Sequence, residues 1–132
     1  MQFRSILLVF VMMIATVGVA QTSTTGSMKT ATVFSTTLRF LDKVAGTARD
    51  ITLKDGETLK LGKLLIIMGE CRYPVANPAG DAFAFITVMG DAGEEEIFRG
   101  WMIASSPGLN ALDHVRYDVW PLRCVSMDAV TE

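Results

Sequence analysis

Between Thr37 and Cys124 no apolar stretch runs far before a turn interrupts it, and this punctuation limits the fold more than any other feature. Thr37–Leu41 and Ala48–Leu53 alternate polar and apolar residues on either side of Asp42–Gly46, which predicts a hairpin. Asp55-Gly56 is a tight-turn signal, followed by a short strand at Thr58–Leu61 and a break at Gly62. The run Leu64-Leu65-Ile66-Ile67-Met68, inside Lys63–Cys71, is too short for an independent helix and apolar on both sides, as in a central strand. Tyr73–Gly80 reads as a loop, Ala82–Met89 as a strand, Gly90–Gly93 as a turn and Glu96–Ala104 as a further strand. In Ser105–His114, Ser106 can cap, Pro107 suits a first helical position, and Leu109 and Leu112 lie three apart, so one short helical turn is expected. Tyr117–Cys124 closes the pattern as a strand. Strands at this spacing predict an all-β fold: a small sandwich or barrel of about 7–8 mostly antiparallel strands.

The N-terminus sets the compartment. Met1-Gln2-Phe3-Arg4 is a short cationic start, Ser5–Ala20 is apolar, and the run ends in the small residues Gly18-Val19-Ala20. That layout predicts a secretory signal peptide over residues 1–20, cleaved after Ala20. The apolar run falls short of the roughly 20 residues that span a bilayer, so no stable membrane span is expected after cleavage. The organisation then reads as signal peptide 1–20, flexible linker 21–32, a single β domain 33–126 and a tail 127–132, in a periplasmic or secreted protein.

Export decides the fate of the two cysteines, Cys71 and Cys124, because an isolated pair in an oxidising space closes into a disulfide. Cys71 has the parity of Leu65 and Ile67, and Cys124 that of Trp120 and Leu122, which predicts a bridge in the core with Trp120 beside it. No Cys-x-x-Cys spacing suggests a redox pair.

Charge and motifs narrow the function. Without Arg4, eleven basic residues face fourteen acidic ones, scattered along the chain, so no basic face for a nucleic-acid partner is expected. Glu94-Glu95-Glu96 with Asp91 reads as a solvated shoulder rather than a cation site, and a single histidine leaves few ligands for a transition metal; no metal or cofactor is expected. Ser105, Ser106, His114 and Asp118 hold the ingredients of a hydrolytic triad but no Gly-x-Ser-x-Gly elbow, so Ser106 reads as a cap and His114 as a partner of the helix end or of a backbone carbonyl. Trp101, Tyr117 and Trp120 form either an aromatic platform for a glycan or peptide or part of the core, and their mixed parity favours the core.

The block from Phe98-Arg99-Gly100-Trp101-Met102-Ile103 through Ser105-Ser106-Pro107-Gly108-Leu109-Asn110 to Asp113-His114, continued by Tyr117-Asp118-Val119-Trp120 and Cys124, resembles the signature of an uncharacterised bacterial family, domain of unknown function 2155. Leu38-Arg39-Phe40-Leu41-Asp42-Lys43 and Gly56-Glu57-Thr58 are similar to that family's opening. The resemblance implies an exported protein, chiefly of alphaproteobacteria, and brings no activity with it. The expected function is a non-catalytic cell-envelope domain that binds a protein or cell-wall component through Ser105, Asn110, Asp113, His114, Tyr117 and Asp118, since function gathers on loops held by rigid strands. The competing readings are a small hydrolase using Ser106 and His114, and a small-ligand module at a barrel mouth.

Overall fold

The computed structural model describes residues 26–90 and 93–126; the expected leader and tail, and Asp91, lie outside the described residues. Eight strands form two sheets: β1 (Thr30–Val33), β2 (Ser35–Asp42), β3 (Thr47–Lys54), β4 (Thr58–Leu61), β5 (Leu64–Pro74), β6 (Phe83–Gly90), β7 (Glu95–Ile103) and β8 (Tyr117–Val125). The larger sheet runs β1-β5-β6-β7, with β4 also on β5; the smaller runs β3-β2-β8, and every pairing is antiparallel. β5 is the axis of the larger sheet. β4 covers one half of its outer edge (Thr58 opposite Ile67) and β1 the other half (Val33 opposite Cys71). Phe34 alone separates β1 from β2, so the chain crosses from one sheet to the other within a single residue.

Alternation builds the layer between the sheets. Leu38 and Phe40 of β2, Ile66 and Met68 of β5, Ile86 and Val88 of β6, Met102 of β7 and Val119 of β8 are buried there. The Leu61 to Leu64 pairing leaves Gly62-Lys63 as a two-residue hairpin loop, with Gly62 at φ +60°. A Cβ on Gly62 would fall 2.5 Å from the Tyr117 hydroxyl oxygen, so the glycine also lets the Tyr117 ring close this end of the core.

The disulfide forms as expected between Cys71 on β5 and Cys124 on β8, with Cα atoms 5.6 Å apart, and so ties one sheet to the other. The parity that predicted it does not survive. On β5, Met68 pairs with Ile86 but Cys71 pairs with Ala84, so a bulge at Gly69-Glu70 places one extra residue in the strand. Cys71 therefore faces inward with Leu64, Ile66 and Met68, while Leu65 and Ile67 face outward. On β8, Leu38 pairs with Pro121 and Thr37 with Arg123, which makes Leu122 the extra residue. Val119, Pro121 and Cys124 then share the inner side, and Trp120 is half-buried on the outer face of the smaller sheet, away from the position expected beside the disulfide. Pro121 fits because β8 is an edge strand next to a bulge, where a missing N–H costs little.

Two other expectations change. β1 begins inside the segment read as linker: Thr30-Ala31-Thr32-Val33 has little apolar content of its own, and its order comes from ladder bonds to β5. Ser105–His114 contains no helix. Ser106 N–H donates to the Ile103 carbonyl (3.2 Å) and Leu109 N–H to the Ser106 carbonyl (3.1 Å), which makes two successive reverse turns. Leu112 enters the core while Leu109 stays exposed, so the two do not share a face as a helix would require.

Candidate functional site

The segment between β7 and β8 runs along the gap between the sheets, and its polar side chains hold it to the body. Asp81 accepts from the Ser105 amide (3.0 Å) and hydroxyl (2.6 Å) and from the Ala82 amide (2.8 Å). Burial pushes the Asp81 carboxyl up, but the Ser105 hydroxyl and the two amides outweigh it and leave it below its ordinary value. Asn110 donates from Nδ2 to the Trp101 carbonyl (2.8 Å), a free group on the β7 edge. Gly100 makes room for this, since a Cβ there would lie 2.9 Å from Asn110 Nδ2. His114 Nδ1 accepts from the amides of Arg116 (3.1 Å) and Tyr117 (3.0 Å), and its ring stacks on Tyr117 at 5.2 Å.

The six residues expected to share one interaction surface are thus divided. Ser105 belongs to the end of the molecule near Asp81, Leu122 and Arg123; His114 and Tyr117 belong to the opposite end, beside Asp42 and Gly62. Tyr117 is buried, and Asp118 accepts from the Val119 amide (2.9 Å). Asp113 is exposed and makes no side-chain hydrogen bond among the described residues. The large apolar side chains this segment turns outward are Leu109 and Val115, beside the exposed Ser105, Asn110 and Asp113.

The hydrolytic arrangement is not assembled. A triad histidine donates from one ring nitrogen to a carboxylate and accepts from the nucleophile with the other. His114 Nδ1 instead accepts two backbone amides, which assigns the ring proton to Nε2, and the hydroxyl of Ser105, at the other end of the molecule, is committed to Asp81. Asp55 is the one carboxyl held above its ordinary value, by burial and then by Glu70, among the groups with a resolved shift. Among the described residues no group of three His, Cys, Asp or Glu side chains converges as a metal site would; Glu96 pairs with Arg99 at 3.2 Å.

A surface that the loop-centred reading missed lies on the outer face of the larger sheet. The register puts Leu65 and Ile67 of β5, Phe83, Phe85 and Met89 of β6, and Trp101 and Ile103 of β7 on that side, each half-buried, together with Thr87 and Arg99 and with Gly93 of the β6–β7 turn against Leu65. Phe85 and Trp101 meet edge to face at 5.4 Å, and the Arg72 guanidinium lies over the Trp101 ring at 5.1 Å. Met28, Thr30, Arg72, Phe83, Trp101 and Ile103 line a groove of about 350 Å³ there. Arg72 pairs with Glu70 (2.7 Å) and Arg99 with Glu96, so ion pairs flank an apolar centre. The outer face of the smaller sheet contrasts with this: Arg39 forms a two-point pair with Asp50 (2.7 and 2.9 Å), and Thr37 bonds Thr52 (3.1 Å). Of the three aromatics considered together, Tyr117 is core while Trp101 and Trp120 sit on opposite outer faces, so they form no common platform. The signal for the apolar face was the run Leu64–Met68, apolar on both sides; its second side is uncovered rather than central.

Comparison with known sequences bears on the whole domain. The model of a bacterial family described as "Uncharacterized protein conserved in bacteria (DUF2155)" matches residues 36–124. Uncharacterized protein RP359 of Rickettsia prowazekii (strain Madrid E) is 28% identical over 87 residues, which covers 64% of this chain and 56% of that protein. The chain thus spans little more than half the length of the curated relative it matches. No solved structure matches.

Proposed function

Since the chain belongs to the DUF2155 family, which is described only as uncharacterised, we propose from its own surfaces that it is a non-catalytic cell-envelope domain that binds another envelope protein on the outer face of its larger sheet. The observation that carries this reading is the uncovered set of Ile67, Phe83, Phe85, Trp101 and Ile103, bordered by Arg72 and Arg99 with their carboxylates. Antiparallel sheets at a surface ordinarily turn a polar face to water, as the smaller sheet does here. A contiguous apolar patch with a polar rim rich in aromatics and arginine has the composition of a protein interface. The Cys71–Cys124 bridge supports action outside the cytosol, where such bonds persist.

A photo-crosslinking residue at Ile67 in the native host tests the assignment. The expected result is an adduct mapping to defined residues of one envelope protein, lost in Trp101→Ser and absent when the probe stands at Thr52 on the opposite outer face. Equal adducts from both positions, or none, would overturn it, as would an adduct that collapses on digestion of the cell wall. Labelling of Ser106 by a serine-directed covalent probe would overturn the non-catalytic assignment, because only an activated hydroxyl reacts.

A further inference from the structure

Of the sheet edges among the described residues, all but one are blunted against further strands. β8 carries Pro121 and a bulge, β7 has its Trp101 carbonyl taken by Asn110, and β1 and β4 are four residues each. The exception is β3, eight residues paired with β2 in one unbroken register and with no described strand on its other side. The Asp55 amide donates to the Phe34 carbonyl (2.9 Å), which extends that ladder by one pair and fixes its phase: odd-numbered residues of β3 turn their backbone groups toward β2. Ala48, Asp50, Thr52 and Lys54 therefore turn theirs outward, and the Lys54 amide accordingly meets the Glu57 carboxylate (2.8 Å) rather than β2.

The side chains of this open edge specify the strand it takes. Arg49-Asp50-Ile51-Thr52-Leu53-Lys54-Asp55 is antisymmetric in charge about Thr52. Against a second copy, antiparallel about a two-fold axis through Thr52, Asp50 faces Lys54, Arg49 faces Asp55, Ile51 faces Leu53 and Thr52 faces itself. An axis at Ile51 or Leu53 sets Asp50 and Lys54 against uncharged residues, and one at Asp50 opposes two carboxylates. Within the chain, Arg49, Lys54 and Asp55 make no ion pair among the described residues; Arg49 rests over the Phe40 ring at 5.6 Å. Asp50 pairs with Arg39 but keeps 42% of its side chain exposed. The other charges nearby are of both signs, Arg123 near Asp50 and Glu70 near Asp55, with Glu57 on the Lys54 amide.

We propose that two copies of this chain associate through β3, joining their smaller sheets into one of six strands, with Asp50 on Lys54 and Arg49 on Asp55 across the two-fold axis. The Lys54 amide then exchanges the Glu57 carboxylate for the Asp50 carbonyl of the second copy. The Lys54 carbonyl keeps the Glu57 amide (2.9 Å) and has a second lone pair for the Asp50 amide. The interface uses no residue of the larger sheet's outer face and does not depend on the protein-binding reading. An axis normal to the sheet leaves both of those faces on the same side of the dimer.

Sedimentation velocity on protein purified from its native host tests the inference, and a concentration-dependent monomer–dimer equilibrium is expected. Asp50→Lys or Lys54→Glu alone sets like charges opposite each other at two contacts and should raise the dimer dissociation constant about tenfold or more, with circular dichroism unchanged. An equimolar mixture of the two variants should restore association, because both contacts of the mixed dimer then join unlike charges; a folding defect would show no such recovery. A photo-crosslinking residue at Thr52 should join two copies of this chain, and both variants should keep the Ile67 adduct with the envelope protein, which separates failure here from failure of the protein-binding reading. A wild type that stays monomeric at every concentration, a dimer that neither substitution weakens, or a mixture no tighter than its components would each overturn the proposal.

Discussion

His114 does the work of a structural acceptor. With Nδ1 taking the amides of Arg116 and Tyr117, and the ring lying on Tyr117, its removal strips two donors of their partner just where β8 begins. His114→Ala should lower unfolding free energy by about 1–2 kcal/mol, since water can reach part of the site, and a shift in urea midpoint measures it. Asp42 is the anchor opposite. Hydrogen bonds from Arg116 foremost, and from the Ala45 and Val44 amides, lower its carboxyl to about 2 against an opposing push from burial. A carboxyl whose native value is depressed stabilises the fold fully above its unfolded value of roughly 3.9 and loses that contribution as the pH falls toward its native value. The wild type should accordingly lose its stability margin over Asp42→Asn between about pH 4 and pH 2, read from denaturation midpoints across that range. The sequence marks Asp42 as the start of a turn and His114 as a backbone partner, but not that His114 accepts amides or that Asp42 also holds Arg116. A histidine and an aspartate near a serine look like chemistry until the partners of each ring nitrogen and oxygen are known.

The strands themselves were largely legible, because alternation and glycine-bearing turns are local signals; the bulges were not. A single unpaired residue at Gly69-Glu70 and another at Leu122 reverse which side chains face inward for the rest of each strand. Counting parity straight through therefore put Cys71 with Leu65 and drew Trp120 inward, yet still united the cysteines, since both strands reverse before they reach them. Gly69 shows why the bulge sits where it does: a Cβ there would lie 2.8 Å from the Phe85 carbonyl oxygen. The bridge itself closes a loop of sequence separation 53 between two sheets. On the chain-entropy account its loss should cost about 4 kcal/mol. Denaturant unfolding of Cys71→Ser/Cys124→Ser against the oxidised wild type should show that loss, and a difference under about 1 kcal/mol would mean that the unfolded chain is already constrained.

At the scale of the whole molecule the two outer faces differ in kind. Arg39, Asp50, Thr37 and Thr52 make one side ordinary protein surface, whereas Phe83, Phe85, Trp101 and Ile103 make the other an uncovered apolar layer. The isolated native protein should consequently bind a hydrophobic fluorescent dye, and Phe83→Ser with Ile103→Ser should reduce that fluorescence substantially. Stability should change by only about 1 kcal/mol, as these side chains are half-buried rather than core. The sequence by itself determined the all-β class, most strand positions and the pairing of the only two cysteines, because residue alternation, turn chemistry and cysteine count are properties of the chain alone. Which side of each strand points inward, where the 105–116 segment spends its polar groups and which sheet face is left bare were decided by tertiary structure, because a bulge, a capped edge or an uncovered face exists only once strands from distant parts of the chain have paired.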